Sequence, residues 1–402
     1  MNILLSHCHY RSSAPSGEDA VYRNERKLLE AHGHTVIPLE RFNDDIHATT
    51  LVEKFSVARE AVWSQASYDF VAKVIQTSKP DIAHFHNTFP QLSPSVYAAC
   101  QDHGVPVVQT LHNYRLVCPN GMLLREGKPC EDCLTGGLSH ALIHRCYRDS
   151  LPATSVMVWM LTSNRRRNMY TEQVNRYIVL NRFSIARFKQ GGLPENKIRV
   201  KPNFLPSAPP FNEQRENYAI YVGRLSTEKG VSTLVKAWKN IGGLPLKILG
   251  DGPLRPELEQ EARDNNLNIE FLGFRPSAEV FNLISKSSVQ ILPSESYEGF
   301  SMALLEAFAT GTPVVASRLG SFDEIVDEGE TGIKFEAGNA QDLADKINSI
   351  KADHALLRKM GIKGREVFQQ QYSAERNYEM LMSIYREAIE DFALNHKMEK
   401  CA

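Results

Sequence analysis

An alternation of short apolar runs with helical patterns, repeated in both halves of the sequence, is the feature that most constrains its fold. In the first half the runs lie at 3–6, 35–39, 82–85, 105–111, 176–180 and 198–200. In the second half they lie at 219–222, 245–249, 269–272, 289–292 and 313–316. Because this alternation is typical of parallel βα units, each half predicts a wound α/β domain.

A proline-rich segment separates the two halves. Four prolines lie between positions 201 and 210, a density that sustains neither a helix nor a central strand. A length of 402 residues suits two domains of roughly 200 residues each. We therefore predict domains at 1–205 and 212–372. Residues 375–395 predict a long charged helix, in which apolar side chains recur at helical spacing: Tyr378, Leu381, Met382 and Tyr385.

Composition and charge narrow the classes of partner. The formal net charge of −1 gives no reason to expect a nucleic acid partner. No apolar run approaches the roughly 20 residues that a membrane-spanning helix needs. The first residues lack both a charged leader and a long apolar run, so they do not predict a signal peptide. We expect a cytoplasmic protein.

The first candidate phosphate site follows the run at 219–222. A loop carrying Arg224 and Lys229 leads from this strand to a helix that starts near Gly230. Two cations at the carboxyl end of a strand, beside a helix N-terminus, are suited to hold a diphosphate. A solvated loop with ordinary surface charges is the alternative.

A second candidate site lies at the start of the helix that follows Glu298. The amides of Phe300 and Ser301 would lie at the positive end of the helix dipole, where phosphate oxygens are favoured. Gly299 permits a close approach of the backbone. Glu306 stands among apolar residues and needs a polar partner there. This favours a ligand contact over an exposed helical glutamate.

Two further turns follow predicted strands and could hold a nucleobase through backbone groups. They contain Gly250-x-Gly252 and Gly273-Phe274. The first lacks the third glycine of the dinucleotide fingerprint. An NAD-dependent oxidoreductase is therefore disfavoured.

In combination these motifs resemble family 4 of the retaining glycosyltransferases, which have the GT-B fold. The resemblance rests on Gly-Arg-Leu-x-x-Glu-Lys-Gly at 223–230 with Glu298 and Glu306, and it covers essentially the whole chain. It implies two Rossmann-like domains facing a central cleft, with the C-terminal helix crossing back to the N-terminal domain. It also implies a donor-binding set, namely Gly17, Arg224, Lys229, Gly252, Phe274, Glu298, Gly299, Phe300, Ser301 and Glu306.

The resemblance assigns chemistry within this set. Arg224 and Lys229 would bind the donor diphosphate, Glu298 would contact the sugar, and Glu306 would contact the ribose hydroxyls. Negative charge grows on the departing phosphate, and one preorganised donor stabilises such charge by roughly 3–4 kcal/mol. No Asp-x-Asp pair suited to a nucleotide-bound metal stands out, so we expect no cofactor to be required for catalysis. The family further implies attack on the face from which the phosphate departs.

Two histidine clusters at predicted strand ends mark the acceptor side. The resemblance implies that His112 is a catalytic residue with Glu298, and that it touches the sugar or assists the departing phosphate. It implies that His86 and Asn87 help to bind the acceptor or the donor. A hydrogen-bonded structural histidine is the alternative, and for His84 we prefer it. The carboxyl ends of strands in open α/β sheets face the ligand crevice, which favours function for His112.

Four cysteines form a cluster with the spacing C-x11-C-x2-C-x12-C. This spacing fits a tetrahedral structural zinc site, and thiols that pack a loop are the competing interpretation. Four thiolates leave no open position, so such a zinc would not be catalytic. The candidate ligands are Cys118, Cys130, Cys133 and Cys146.

The remaining expectations concern partners and pathway. Twelve Lys/Arg against three Asp/Glu lie between His140 and Lys201, next to an apolar run that starts at Leu151. A buried helix with a charged end is the favoured interpretation, and docking to an anionic membrane face is the other. We expect a UDP-, GDP- or ADP-sugar donor and a glycan or polyprenyl-linked acceptor, in surface polysaccharide biosynthesis. A transferase that makes a soluble disaccharide and a non-catalytic nucleotide-binding protein are the alternatives.

Overall fold

A computed structural model of the chain describes residues 1–12, 16–47, 50–207, 209, 211–212 and 214–401. The chain divides into two compact units. The first comprises Met1–Met122, Glu131–Asn203 and Asn377–Ala402, and the second comprises Leu123–Cys130 and Phe204–Arg376.

The first unit is built on a six-stranded parallel sheet with the order β2-β1-β3-β4-β7-β8. Its central strands are buried along their whole length, because helices cover both faces of a parallel sheet. The strands of this sheet are β1 (Asn2–His9), β2 (Thr35–Phe42), β3 (Ile82–Phe85), β4 (Val107–Leu111), β7 (Arg176–Val179) and β8 (Ile198–Val200). Between β4 and β7 in the chain, β5 (Leu124–Arg125) and β6 (Lys128–Pro129) form a short antiparallel hairpin, which belongs to the segment Leu123–Cys130 of the second unit.

Helices connect these strands as the alternating pattern predicts. Helix α1 begins with a capping box in which Ser16 caps the helix and Asp19 bonds back to it. Short 3-10 turns lie at Asn43–Asp45 and Glu195–Lys197. The helices are α1 (Gly17–Ala31), α2 (Leu51–Val62), α3 (Gln65–Ser78), α4 (Ser95–Asp102), α5 (Asp132–Thr135), α6 (Ser139–Ile143), α7 (Leu151–Arg166) and α8 (Phe183–Gln190).

The second unit contains another six-stranded parallel sheet, with the order β11-β10-β9-β12-β13-β14. Numbered from its own first strand this order is 3-2-1-4-5-6, that of a Rossmann fold, with a topological switch point between β9 and β12. The strands are β9 (Glu216–Val222), β10 (Leu246–Leu249), β11 (Ile269–Gly273), β12 (Ser287–Leu292), β13 (Val314–Ser317) and β14 (Gly332–Phe335).

Helices follow each strand of this sheet. A 3-10 turn at Thr227–Lys229 precedes the first helix, and the apolar faces of these helices enclose the core of the unit. The helices are α9 (Val231–Trp238), α10 (Arg255–Asp264), α11 (Ser277–Lys286), α12 (Met302–Thr310), α13 (Ser321–Ile325), α14 (Ala340–Ile350) and α15 (His354–Gln371).

The last helix, α16 (Ala374–Cys401), packs on the sheet of the first unit. Leu381 and Tyr385 are fully buried there against Ile3 and Ile82 of the sheet, and Tyr378 and Met382 pack at the edge of this cluster. The helical spacing of its apolar residues is therefore confirmed. None of the helices in the described part of the chain is both long and apolar enough to cross a lipid bilayer.

The structure differs from the sequence prediction in three details. We expected Gly17 in a loop after the first apolar run, but it lies in the first turn of α1, because Ser16 and Asp19 start the helix early. Strands β5, β6 and β14 were not predicted. Lys201, the first residue of the predicted proline-rich linker, is buried.

Candidate functional site

The carboxyl end of β9 carries the loop that we predicted as a phosphate site. The Tyr221 hydroxyl donates to the Arg224 carbonyl over 2.8 Å, and the Leu225 amide donates to the Asp251 carbonyl over 3.0 Å. These bonds hold the loop against the turn after β10. Gly230, at φ +66°, ends the following 3-10 turn, and a Cβ there would lie 1.9 Å from the Pro293 carbonyl oxygen. Only glycine lets the loops after β9 and β12 approach so closely.

The two loops bring Lys229 and Glu298 together. The Lys229 ammonium donates to Glu298 Oε1 over 2.6 Å, and the Ser294 hydroxyl donates to the same oxygen over 2.6 Å. Burial alone would raise the pKa of Glu298, but the charge of Lys229 and these two hydrogen bonds bring it below its ordinary value. Glu298 is therefore ionised.

Arg224 lies on the same loop as Lys229 and differs from it in its surroundings. Arg224 is exposed, and its guanidinium forms no hydrogen bond or ion pair with any residue that the structure describes. Lys229 keeps two N–H groups beyond the one that Glu298 accepts. The loop therefore offers one unengaged cation and one that is partly neutralised.

Helix α12 follows Glu298 and begins after Ser301, whose hydroxyl accepts from the Leu304 amide as an N-cap. Gly299, Phe300 and Ser301 thus immediately precede the first turn, at the positive end of the helix dipole. The Phe300 ring packs edge-on against Tyr372, with 5.6 Å between ring centroids. This contact fixes the backbone that leads into the helix.

Glu306 lies one and a half turns into α12 and is partly buried. Burial raises the pKa of its carboxyl group to about 7. Among the described residues no side chain donates to this carboxylate. A half-buried carboxylate without a protein partner is suited to accept hydrogen bonds from ligand hydroxyls.

The turns after β10 and β11 also lie at carboxyl ends of this sheet. A Cβ on Gly250 would lie 2.0 Å from the Gly223 carbonyl oxygen, and one on Gly252 would lie 2.4 Å from the Leu225 carbonyl oxygen. Both glycines therefore pack on the loop that follows β9. Phe274 is 78% exposed. Its ring is available to stack on a planar group.

In the first unit, the start of α1 and the end of β4 meet. Gly17 stands next to Glu18, whose Oε1 accepts from the Asn113 side-chain amide over 3.0 Å. Burial raises the pKa of the Glu18 carboxyl group, although Asn113 and nearby Arg115 oppose the shift.

The predicted histidines lie at the ends of β3 and β4. His86 Nδ1 lies 2.9 Å from His112 Nε2, and His86 Nε2 lies 2.9 Å from Glu25 Oε1. His84 is fully buried and bonds to the hydroxyls of Thr110 and Tyr385, each over 2.8 Å. Its surroundings agree with the structural role that we preferred for it.

Asn87 is engaged by its own unit. Its side-chain amide donates to the Cys8 carbonyl over 3.0 Å, and its side-chain carbonyl accepts from the Phe89 amide over 3.1 Å. One N–H of the amide remains for a ligand.

Two buried residues of this site were missed from the sequence. Glu25 stands on the apolar face of α1 between Tyr22 and Leu28, and Lys201 Nζ donates to Glu25 Oε2 over 2.8 Å. The sequence contained a signal for Glu25, because it falls on the apolar face of a predicted helix and a buried carboxylate requires a polar partner. No local signal marks Lys201, because its partner is 176 positions away.

Two groups of buried side chains in the described residues bring metal-capable atoms within 4.8 Å of one another. They are His7, His9 and Asp19, and Glu25, His84 and His86. Hydrogen bonds occupy both groups, and the positive charge of Lys201 already balances Glu25. Among the four clustered cysteines, Cys118 is buried, and the other three are partly buried: Cys130, Cys133 and Cys146.

Comparison with known proteins identifies the family. The sequence model described as "Glycosyltransferase Family 4" matches residues 20–207, and the one described as "Glycosyl transferases group 1" matches residues 207–367. An uncharacterized glycosyltransferase of Methanocaldococcus jannaschii is 35% identical over 44% of this chain and 50% of its own length. The N-acetyl-alpha-D-glucosaminyl L-malate synthase of Bacillus anthracis is 26% identical over 85% of this chain and 83% of its own length.

Solved structures share the fold. Sucrose-phosphate synthase from Thermosynechococcus elongatus aligns with a TM-score of 0.69 at 20% identity, over 97% of this chain and 99% of that one. The Anabaena protein HepE, crystallised with UDP, aligns with a TM-score of 0.66 at 18% identity, over 95% and 99%. With its two Rossmann-like sheets and both family matches, the chain belongs to family 4 of the glycosyltransferases and has the GT-B fold.

Proposed function

We propose that this chain transfers a sugar, with retention of anomeric configuration, from a nucleoside diphosphate donor to a glycan or lipid-linked glycan acceptor in surface polysaccharide biosynthesis. The observation that carries the proposal is the arrangement of Arg224, the Lys229–Glu298 pair and the start of α12 at the switch point of the second sheet. Relatives support the donor class, since HepE was crystallised with UDP and with UDP-glucose.

The roles follow from the charges. Arg224 and the unengaged N–H groups of Lys229 bind the diphosphate, and the amides at the start of α12 add a fixed dipole. Negative charge that develops on the departing phosphate is stabilised by these groups, so no cofactor is required for catalysis. Glu298 contacts the sugar and Glu306 accepts from the ribose hydroxyls. The turns at Gly252 and Phe274 flank the nucleotide.

On the acceptor side, His112 contacts the transferred sugar as a catalytic residue with Glu298. His86, which contacts His112, and the adjacent Asn87 help to bind the substrates.

A soluble small-molecule acceptor is the second candidate. It is favoured by one observation, the alignment with N-acetyl-alpha-D-glucosaminyl L-malate synthase along most of both chains. By contrast, the similarity to the lipopolysaccharide core biosynthesis glycosyltransferase LpsE of Rhizobium meliloti, at 31% identity, covers 38% of this chain. Acceptor tests therefore include small hydroxylated acids beside glycans.

The central experiment measures nucleotide release by the purified protein from UDP-, GDP- and ADP-sugars, with and without acceptors. We expect one donor to be turned over without added metal, and the signal to persist in EDTA. Glu298→Ala and Lys229→Ala abolish most of it, while Lys239→Ala, which breaks a Lys–Glu pair elsewhere in the same unit, does not. Turnover that is indifferent to both site substitutions would remove the site assignment. Nucleotide binding without any turnover would favour the non-catalytic alternative.

We further propose a structural zinc ion held by Cys118, Cys130, Cys133 and Cys146. Besides the spacing, local structure supports it: the Gly121 amide closes a turn on the Cys118 carbonyl over 2.9 Å, and Cys130 ends the β5–β6 hairpin. Metal analysis of protein purified without chelator is expected to find one zinc per chain, and Cys133→Ser to lose it. Zinc-free protein with unchanged stability would contradict this proposal.

We also propose a peripheral contact with an anionic membrane face. Ile143, Leu151 and Trp159 of α6 and α7 are exposed at 71%, 46% and 45%, with Arg145 and Arg148 exposed beside them. Basic residues near anionic lipid contribute about 1 kcal/mol each. Cosedimentation with phosphatidylglycerol vesicles is expected and is weakened by Trp159→Ala. Equal binding to phosphatidylcholine vesicles, or none to either, would contradict it.

A further inference from the structure

Four side chains of the first unit form a continuous file of polar contacts that ends at His112. Lys201 Nζ lies 2.8 Å from Glu25 Oε2, Glu25 Oε1 lies 2.9 Å from His86 Nε2, and His86 Nδ1 lies 2.9 Å from His112 Nε2. The four residues come from α1 and from the ends of β3, β4 and β8. Lys201, Glu25 and His86 are all more than nine-tenths buried.

The direction of every hydrogen bond in this file follows from its first member. Lys201 is a cation and can only donate, so Glu25 accepts from it as a carboxylate. Burial alone would raise the pKa of Glu25, but Lys201 and the neighbouring histidines hold it well below its ordinary value. An ionised carboxylate can only accept, so His86 must carry its proton on Nε2.

The protonation of His112 follows in turn. Burial lowers the pKa of His86 to about 4, so its ring is neutral and Nδ1 bears a lone pair. His112 must therefore donate from Nε2. Burial, together with repulsion from His86, keeps the pKa of His112 well below its ordinary value. A neutral His112 that is protonated on Nε2 has a lone pair on Nδ1.

The other groups around Glu25 agree with this assignment. His84 Nδ1 lies 3.0 Å from Glu25 Oε1 and 2.8 Å from the Tyr385 hydroxyl, and His84 Nε2 lies 2.8 Å from the Thr110 hydroxyl, so a ring with its proton on Nδ1 fits all three contacts. Glu25 thus receives donors on both oxygens, and Lys201 balances its charge. No member of the file needs a second proton.

We infer that Glu25 is a positioning residue which, through His86, fixes His112 as the Nε2–H tautomer and leaves His112 Nδ1 as a hydrogen-bond acceptor. The inference rests on the proposed function, in which His112 faces the donor. It decides between the two roles considered for His112: the ring accepts a hydrogen bond from a ligand hydroxyl and has no proton to give to the departing phosphate. Lys201 acts indirectly, because it keeps Glu25 ionised.

The first test reads the tautomer without substrate. Long-range ¹H–¹⁵N spectra of the imidazoles are expected to show His86 and His112 as neutral Nε2–H tautomers between pH 6 and 8. In Glu25→Gln the amide carbonyl stays with Lys201 and the NH₂ group faces His86, so both tautomers reverse. A wild-type His112 that is protonated on Nδ1, or charged in this range, would overturn the inference.

The second test reads the consequence for turnover. We expect Glu25→Gln to lower kcat by about 10- to 100-fold, the loss typical when a group that orients a site residue is removed, with donor KM little changed. Tyr385→Phe, which removes a partner of His84 but leaves the file intact, serves as the control for packing. An unchanged kcat in Glu25→Gln with reversed tautomers would show that the acceptor role is wrong.

These outcomes separate the two proposals. If the wild-type protein turns over no nucleotide sugar, the proposed function fails while the spectra still decide the tautomer. If the protein turns over a nucleotide sugar and the spectra show His112 protonated on Nδ1, the proposed function stands and the inference fails.

Discussion

Lys229 and Glu298 lie 2.6 Å apart, from Nζ to Oε1, although 69 positions separate them in the chain. The cation proposed for the diphosphate is therefore already paired with the carboxylate proposed for the sugar. On these proposed roles, the pair would bind both parts of a nucleotide sugar at the switch point of one sheet. It also makes the two residues energetically dependent on each other.

The first prediction concerns this dependence. Lys229→Ala and Glu298→Gln are each expected to lower kcat by about 10²–10³-fold, as the loss of a preorganised charge does. The double variant is expected to lose much less than the product of the two, because residues that act as a unit are non-additive. Steady-state kinetics with the best donor measure all four proteins.

The matched control for this comparison of single and double variants is the Lys239–Glu261 pair on the helical surface of the same unit. Its Nζ and Oε1 atoms lie 2.9 Å apart. Its two substitutions are expected to leave kcat unchanged. Strict additivity at Lys229 and Glu298 would contradict a shared role.

The second prediction concerns Glu306, whose pKa burial raises to about 7. In the proposed role, ribose hydroxyls would donate to the ionised carboxylate, so binding would favour loss of the proton. Below pH 7 the protein must first release that proton, and Kd of the nucleoside diphosphate rises by up to about tenfold for each pH unit. Calorimetry in buffers of different ionisation enthalpy is expected to show a proton released on binding near pH 6.5.

Glu306→Gln separates this effect from ionisation of the phosphate itself. The variant is expected to bind more weakly at pH 8 and to retain only the pH dependence of the ligand. The shift also makes the wild-type fold less stable as pH rises from 4.5 to about 7, because the folded protein holds a proton that the unfolded chain has lost. Equal pH slopes of Kd in both proteins would contradict the contact.

The third prediction compares two glycines of the second unit with similar backbone angles. Gly230 has φ +66° and would place a Cβ 1.9 Å from the Pro293 carbonyl oxygen, whereas Gly243 has φ +75° and open space around it. Alanine strains both backbones, but only at Gly230 does it also clash. Gly230→Ala is expected to lower the free energy of unfolding by about 1–3 kcal/mol more than Gly243→Ala.

Chemical denaturation measures this difference, and donor binding reports on the loop. Gly230→Ala is expected to weaken donor binding because the loop that carries Lys229 must move. Equal stability of the two variants would show that the two loops approach less closely than described.

The fourth prediction concerns the packing of α16 on the first sheet. Leu381 is fully buried in this helix, and Leu394 is 59% exposed in its last part. Leu381→Ala is expected to lower the free energy of unfolding by about 2–5 kcal/mol, as burial in a core requires. Leu394→Ala is expected to change it by less than about 0.5 kcal/mol. Similar losses in the two variants would contradict the packing.

Much of the fold, and the position of the candidate donor residues on the loops of the second sheet, was predictable because the signals are local. The apolar runs predicted eleven of the sheet strands, since period and length are properties of neighbouring residues. Strand β14 escaped because glycine opens its short run, Gly332–Phe335, and glycine is depleted in strands. Arg224 and Lys229 were predicted because they sit within a few positions of a strand end and a helix start.

The sequence alone thus determined the class of fold, the family and the placement of Arg224 and Lys229 on a loop at a strand end, because each depends on neighbouring residues. Only the tertiary structure decided how those charges are partnered. Lys229 meets Glu298 because two loops converge at a switch point, and Lys201 neutralises Glu25 because β8 ends beside α1. Protonation in a buried site depends on distance in space, and residues far apart in the chain set that distance when it folds.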